Sequence, residues 1–157
     1  LGNGTTTNSA APVTVSGLGS VSQLSCGFSH CCARKADGRV WCWGSNSNGQ
    51  LGDNSTSDSL VPVAVTGLSS GVTAIAAGTL HSCAIYNGAV KCWGNDAERA
   101  LGTSVASFTN PALGDQPGEM GAALPAVPLP AGFVAPYEYS SNVLAKIRRR
   151  IREEAKP

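Results

Sequence analysis

Charge is scarce in this chain: Asp, Glu, Lys and Arg make up 13% of its 157 residues, and the formal net charge is +1. That is low for a cytosolic protein and gives no general pull toward nucleic acid or a membrane surface. Long apolar runs are missing too. No window approaches 18 consecutive apolar residues, so no transmembrane segment is expected. A signal-peptide pattern is absent and the first residue is Leu1, so the sequence reads as a processed product or a piece of something longer. Helical periodicity is absent from residues 1–135. Also absent are a phosphate-cradling Gly loop, His-Glu-x-x-His, Gly-x-Ser-x-Gly and an evident carboxylate pair. Asp37, Asp53, Asp58 and Asp96 stand in turn contexts that Asp favours for local reasons. The expectation is a chain that is not an enzyme and takes no cofactor or metal.

What the chain does have is 19 glycines, 9 prolines and 6 cysteines. Many Gly and Pro with few charges point to short strands joined by turns. Six cysteines are unusual in a small reduced protein and ordinary in an oxidised one. Their spacing is informative. Asn87-Gly88 is a type I′ turn signal, because both positions of that turn need φ > 0. Counting outward, Tyr86 faces Ala89, Ile85 faces Val90, Ala84 faces Lys91 and Cys83 faces Cys92. The Ala36-Asp37-Gly38 turn sets Lys35 against Arg39 and Cys32 against Cys42. Two hairpins with different loops thus oppose two cysteines, and both read as cross-strand disulfides.

The hairpins belong to an internal repeat. Leu1-Gly2, Pro12-Val13, Gly17-Leu18, His30, Cys32-Ala33 and Cys42-Trp43-Gly44 recur as Leu51-Gly52, Pro62-Val63, Gly67-Leu68, His81, Cys83-Ala84 and Cys92-Trp93-Gly94. A period near 50 implies a solenoid or a propeller. Four extended segments are expected in each unit, at residues 12–15, 21–26, 30–35 and 39–43, and again at 62–65, 72–77, 81–86 and 89–93. The domain reading is repeat 1 at 1–50, repeat 2 at 51–100, a degenerate partial repeat or loop at 101–135, and a basic helical tail at 136–157. Ser140 or Ser141 would cap a helix from 142 to about 155.

The stretches Gly27-Phe-Ser-His30, Asp37-Gly-Arg-Val-Trp-Cys-Trp-Gly44 and Gly49-Gln-Leu-Gly52, with Gly88-Ala-Val-Lys-Cys-Trp-Gly94 in the second copy, resemble the repeats of the RCC1 (regulator of chromosome condensation) family. The paired cysteines resemble the secreted or surface-exposed branch of that family, found in bacteria and protists. Gly114-Asp-Gln-Pro-Gly-Glu-Met-Gly121 resembles a loop variant of the same branch. The resemblance implies an all-β fold: about two four-stranded antiparallel propeller blades, a partial third, and then the short C-terminal helix. Family propellers typically have seven blades, and two cannot close a ring. The chain is therefore a fragment, completes a ring with other chains, or forms an open stack with exposed apolar faces. Arg99 departs from the pattern, standing where the turn glycine is expected.

Each candidate residue has a plain alternative. His30 with Cys32 and His81 with Cys83 share strand faces, so a Cys/His metal site is conceivable, but those cysteines already face Cys42 and Cys92. The repeated His is read more simply as a structural residue bonding backbone. Cys26 and Cys31 have no counterpart in repeat 2; they pair with each other, stay free or link to another chain. Trp43 and Trp93 recur, which favours packing between blades, and Trp41 is the candidate for surface contact. Ser45, Asn46, Asn48, Gln50 and Asp53, in the loops around Ser45–Gln50 and Asp53–Ser59, are the candidate binding residues. Asn3 and Asn54 head glycosylation sequons. The cluster Arg148, Arg149, Arg150 and Arg152 reads as a nuclear signal, a lipid or nucleic-acid arm, or a solvated tail.

The reading is a non-enzymatic module that binds a protein or glycan partner or serves structurally, in an extracellular or cell-surface protein. Other blades or chains would complete or cover it, and no nucleic acid is expected. The alternative is the activity of the family's namesake, guanine-nucleotide exchange on a small GTPase. It needs loops of a complete ring that do not map onto this chain, and it fits poorly with oxidised hairpins.

Overall fold

The computed structural model describes residues 1–96, 99–103 and 112–129. These contain the strands β1 (Val21–Cys26), β2 (His30–Lys35), β3 (Val40–Gly44), β4 (Ser59–Ala64), β5 (Val72–Ala77), β6 (His81–Tyr86), β7 (Ala89–Asn95) and β8 (Ala112–Leu113). They form two four-stranded antiparallel sheets in the orders β1-β2-β3-β4 and β5-β6-β7-β8. The helix expected at 142–155 and its arginine cluster lie outside the described residues.

Turn chemistry sets the registers. Asn87 and Gly88 take φ of 49° and 80°, and the β6–β7 pairs run Tyr86↔Ala89, Ile85↔Val90, Ala84↔Lys91 and Cys83↔Cys92. In the first sheet the Lys35 amide bonds the Arg39 carbonyl at 2.8 Å, and Cys32 lies opposite Cys42. A shift by one residue would turn each buried face outward.

Two strand expectations give way. Residues 12–15 form no strand, and residues 62–65 do not open the second sheet. Instead β4 closes the first sheet, pairing Trp41↔Ala64, Cys42↔Val63 and Gly44↔Ser59. The sequence period therefore cuts each sheet one strand early, because every sheet borrows its outer strand from the following period. The same rule places the residues after Leu101. Ala112 and Leu113 finish the second sheet as β8, with Gly94↔Leu113 and Asn95↔Ala112, and a bridge joins Lys91 to Ala126.

Between those two contacts, residues 114–125 form an insertion that folds back over both sheets. Glu119 accepts the Gly114 and Gln116 amides at 2.9 and 3.1 Å. Its Met120 and Leu124 join Cys32, Val40, Cys42, Leu51, Val72, Ile75 and Trp93 in the core between the sheets. The Lys91 ammonium donates to the Gly121 carbonyl at 2.8 Å. A second cluster, Ala74, Cys83, Ile85, Val90, Cys92 and Leu101, packs on the other face of the second sheet with Leu113, Val127 and Leu129.

Candidate functional site: an apolar rim over a polar node

One end of the sheets carries the β1–β2 and β5–β6 turns and the exits of β3 and β7. The first turn, Gly27-Phe28-Ser29, is closed by the Gly27 amide on the His30 carbonyl at 2.8 Å. It is also spanned by the Cys26–Cys31 disulfide, whose Cα atoms are 4.0 Å apart. The second turn has the equivalent Gly78-to-His81 bond at 2.8 Å, but Ala77 and Ser82 stand where the disulfide would be. The Phe28 amide reaches the Thr79 carbonyl at 3.4 Å, and Ser45 and Asn95 donate their amides to the Ser29 and Leu80 carbonyls. The Asn95 side chain bonds Asn48 Oδ1 at 2.7 Å across the sheets. On this fixed backbone Phe28 is 82% exposed and Leu80 37% exposed.

Behind the rim sits a buried polar node. His30 Nε2 lies 2.9 Å from Ser82 Oγ, and that hydroxyl donates to the Gln50 carbonyl at 3.0 Å. The same carbonyl accepts the Trp93 indole N–H at 3.0 Å. Burial, with a smaller contribution from His81, lowers the His30 pKa to about 4, so the ring is neutral at pH 7. His30 therefore bonds a hydroxyl of the neighbouring sheet rather than backbone as expected, because Ser82 replaces the Cys31 of the first repeat at that spot.

The polar loop candidates are spent inside the fold. The Asn46 side chain donates to Asp53 Oδ1, the Ser55 carbonyl and Ser55 Oγ at 3.0, 2.9 and 3.2 Å, and it accepts the Leu51 amide at 2.9 Å. Gln50 is fully buried and takes the Asn48 amide at 2.8 Å. Asp53 also accepts the Ser55 amide and hydroxyl. Of the five loop candidates, Ser45 and Asn48 are half-buried at the rim. Trp41 is half-buried, with the Lys35 ammonium 5.8 Å from its ring centre. Asn3 holds Thr5 through its side-chain oxygen, and Asn54 turns its oxygen inward at φ 62°.

All six cysteines are joined, as Cys26–Cys31, Cys32–Cys42 and Cys83–Cys92. Among the described residues no group of three His, Cys, Asp or Glu is arranged to hold a metal. Trp43 and Trp93 are buried at 4% and 0% exposure, and a Cβ on Gly2 or Gly52 would come within 2.7 Å of their indole nitrogens. The chain therefore needs glycine at both places. Sequence reasoning overlooked Phe28 and Leu80. The available signal was an apolar side chain in a tight turn, which burial cannot explain.

Comparison with known proteins agrees with this architecture. Two models of the regulator of chromosome condensation (RCC1) repeat match, one over residues 21–50 and one over residues 37–85. The ultraviolet-B receptor UVR8 of Arabidopsis thaliana is 41% identical over 54 residues, which is 33% of this chain and 12% of the receptor. Yeast RCC1 (Prp20), in its crystal structure with Kap60, superposes with a TM-score of 0.55 at 23% identity, over 73% of this chain and 24% of that one. Human WBSCR16 superposes with a TM-score of 0.50 at 23% identity, over 59% of this chain and 23% of that one. The chain thus spans at most about a quarter of these relatives: residues 21–85 match the RCC1 repeat, and its two four-stranded antiparallel sheets have the fold of neighbouring blades in the RCC1 propellers it superposes on.

Proposed function

We propose that this chain is a non-enzymatic protein-binding segment of an RCC1-like propeller, working in an oxidising, extracellular or cell-surface setting, and that its partner meets the Phe28–Leu80 rim. The observation that carries the reading is an 82%-exposed Phe28 on a turn held by its own disulfide. A large aromatic presented by rigid backbone loses little entropy on binding and is the usual anchor of a protein interface. Protein binding is favoured over glycan binding because the loop carboxamides a glycan would need are already bonded internally. Yeast RCC1 was itself captured with a protein, Kap60. The oxidising setting rests on six paired cysteines.

The test is site-specific photo-crosslinking in the native setting, with the photoreactive residue at position 28, at 80, or at Asp37 on the opposite end. One defined protein adduct from 28 and 80 but not from 37 is expected. Equal labelling from all three positions, or none from 28 and 80, overturns the reading. Peptide mapping without reduction, with free thiols blocked, tests the compartment: the three bonds are expected in protein isolated from its source, and six free thiols would refute it.

A further inference from the structure

We infer that the Cys26–Cys31 bond is an exchange site for a protein thiol: a partner thiolate docked beside Phe28 attacks Cys26 Sγ and is held there as a mixed disulfide. The inference rests on the reading of the Phe28–Leu80 rim as a protein-binding surface, and it names the chemistry that retains the partner.

The three disulfides differ in access. Cys32, Cys42, Cys83 and Cys92 are at most 5% exposed and belong to the two buried apolar clusters. Cys26 is exposed, and Cys31 is half-buried. The registers explain the asymmetry. Cys31 stands inside its ladder, opposite Cys26 on one side and the buried Trp43 on the other. Cys26 ends β1, the outermost strand of its sheet. Thiol–disulfide exchange goes to the sulfur that can be reached, so Cys26 is attacked and Cys31 leaves.

The turn does not need this bond to close. Its counterpart in repeat 2 makes the same 2.8 Å amide-to-carbonyl bond, Gly78 to His81, with Ala77 and Ser82 where the cysteines would stand. The Phe28 turn also has the Gly27–His30 bond and the Ser45 amide on the Ser29 carbonyl, both at 2.8 Å. The Cys26–Cys31 link spans a sequence separation of 5, against 10 and 9 for the other two, and so constrains the unfolded chain least. Opening it frees a sulfur while the turn stays tied to the sheet.

The exchange is confined to this pair. Cys31 and Cys32 are neighbours in β2, and successive side chains of a strand point to opposite faces. A freed Cys31 thiolate therefore lies across the sheet from the Cys32–Cys42 bond and returns only to Cys26.

Docking supplies the rate. Phe28 is two residues from Cys26, which keeps their Cα atoms within about 8 Å. A partner anchored on Phe28 holds its own thiol beside Cys26 at an effective concentration on the order of mM. Phe28, Ser29, Thr79 and Leu80 carry no charge that would repel a thiolate. The step balances without an oxidant. The partner thiol loses its proton to water, and its sulfur bonds Cys26 Sγ. The Cys26–Cys31 bond breaks, its electron pair leaves on Cys31 Sγ, and that sulfur takes a proton from water. Attack by the Cys31 thiolate on Cys26 reverses the step and releases the partner with its thiol restored.

The experiment treats the oxidised full chain with reduced glutathione as the probe thiol, caps freed thiols with N-ethylmaleimide and maps the peptides without reduction. Glutathione is expected on Cys26 and the cap on Cys31, forming more than about tenfold faster than any adduct at the other four cysteines. Glutathione on Cys31 in preference to Cys26, or equal reaction at all three bonds, overturns the inference. The same capping in the native setting is expected to leave a protein joined to Cys26 through a reducible bond. Phe28→Ala should cut that yield about tenfold and leave glutathione exchange unchanged. A partner photo-crosslinked at position 28 with no protein on Cys26 overturns the inference and leaves the binding reading intact. A protein on Cys26 whose yield ignores Phe28→Ala, with no photo-crosslink, supports exchange and overturns the rim reading. The double variant Cys26→Ala/Cys31→Ala is expected to fold and to keep the photo-crosslink from position 28. Failure of that variant to fold would make the bond structural and refute the proposal.

Discussion

Acidification from pH 7 to pH 5 is expected to weaken the fold through His30, by an amount the structure sets. The His30 ring is 3% exposed, bonds Ser82 through Nε2, and has no partner for its buried Nδ1. A proton added there would be charged and unsolvated, which is why the pKa falls from 6.5 to about 4. The sign follows from counting protons. Between pH 4 and 6.5 the unfolded chain binds a proton at His30 that the folded chain does not, so stability rises with pH across that window and is fully present above it. The shift of about 2.5 units corresponds to a limiting loss of about 3 kcal/mol, of which about 2 kcal/mol falls between pH 7 and pH 5. That is a large share of a typical folding free energy of about 5–15 kcal/mol. Asp96 and Glu119, both raised chiefly by burial, contribute stability that grows as pH falls and oppose this trend. The assay therefore compares urea unfolding of the wild type with that of His30→Gln at both pH values, so that contributions common to both proteins cancel. The wild type should lose about 2 kcal/mol more than the variant. Equal losses, or a His30 ring proton that titrates near 6.5 by NMR in the folded protein, would show that the node is hydrated and the reasoning wrong.

Other expectations concern particular residues. Arg99 takes φ 54° where the first repeat has Gly49 at 70°, so Arg99→Gly should stabilise by about 0.5–1 kcal/mol in thermal unfolding. Gly52→Ala, whose Cβ would meet the Trp93 indole at 2.7 Å, should destabilise by several kcal/mol and alter tryptophan fluorescence. Gly88→Ala, with open space around it, should cost only about 1 kcal/mol, for its positive φ. Lys91→Met would leave the Gly121 carbonyl without its donor. A loss of about 1–3 kcal/mol is expected, with faster proteolysis within residues 114–125. Mild reductant followed by alkylation should label Cys26 and Cys31 first, since Cys26 is exposed and the other two bonds lie in residues at most 5% exposed; simultaneous labelling of all six would count against that order.

Much of the fold was legible because it is local. Asn87-Gly88 dictates a turn by steric preference alone, and once the turn is placed, counting outward fixes which side chains meet. The repeat also gave two sheets. Sheet membership was not legible, because periodicity states what recurs and not where one closed unit ends. Val63 belongs to the first sheet only because β3 leaves an edge that β4 reaches. The insertion after Leu113 hid the same event in the second sheet by separating the two stretches that pair with β7. The polar loops misled for a related reason. Asn, Asp and Ser suit a binding surface and suit a self-bonded turn equally well, and only distances such as Asn46 to Asp53 and Ser55 separate the two.

The same distances explain why nearly alike repeats are not interchangeable. Gln23, Ser25 and Ser82 are all positions where the two copies differ, and each makes a polar contact between the sheets. A sequence comparison would score them as noise against the shared Trp, Gly and Cys. Physically the division runs the other way. The shared residues build each sheet, while the differing ones decide which sheet stands beside which. Gln23 and Ser25 lock the first sheet to the edge of the second, and Ala74 and Ala76 at the matching places give the second sheet no such side chains. The Cys26–Cys31 bond belongs where no hydroxyl is required of the strand edge and a turn bearing Phe28 must keep its shape. Order along the stack is thus written in the departures from the repeat, and a chain with identical repeats would have no means of specifying it.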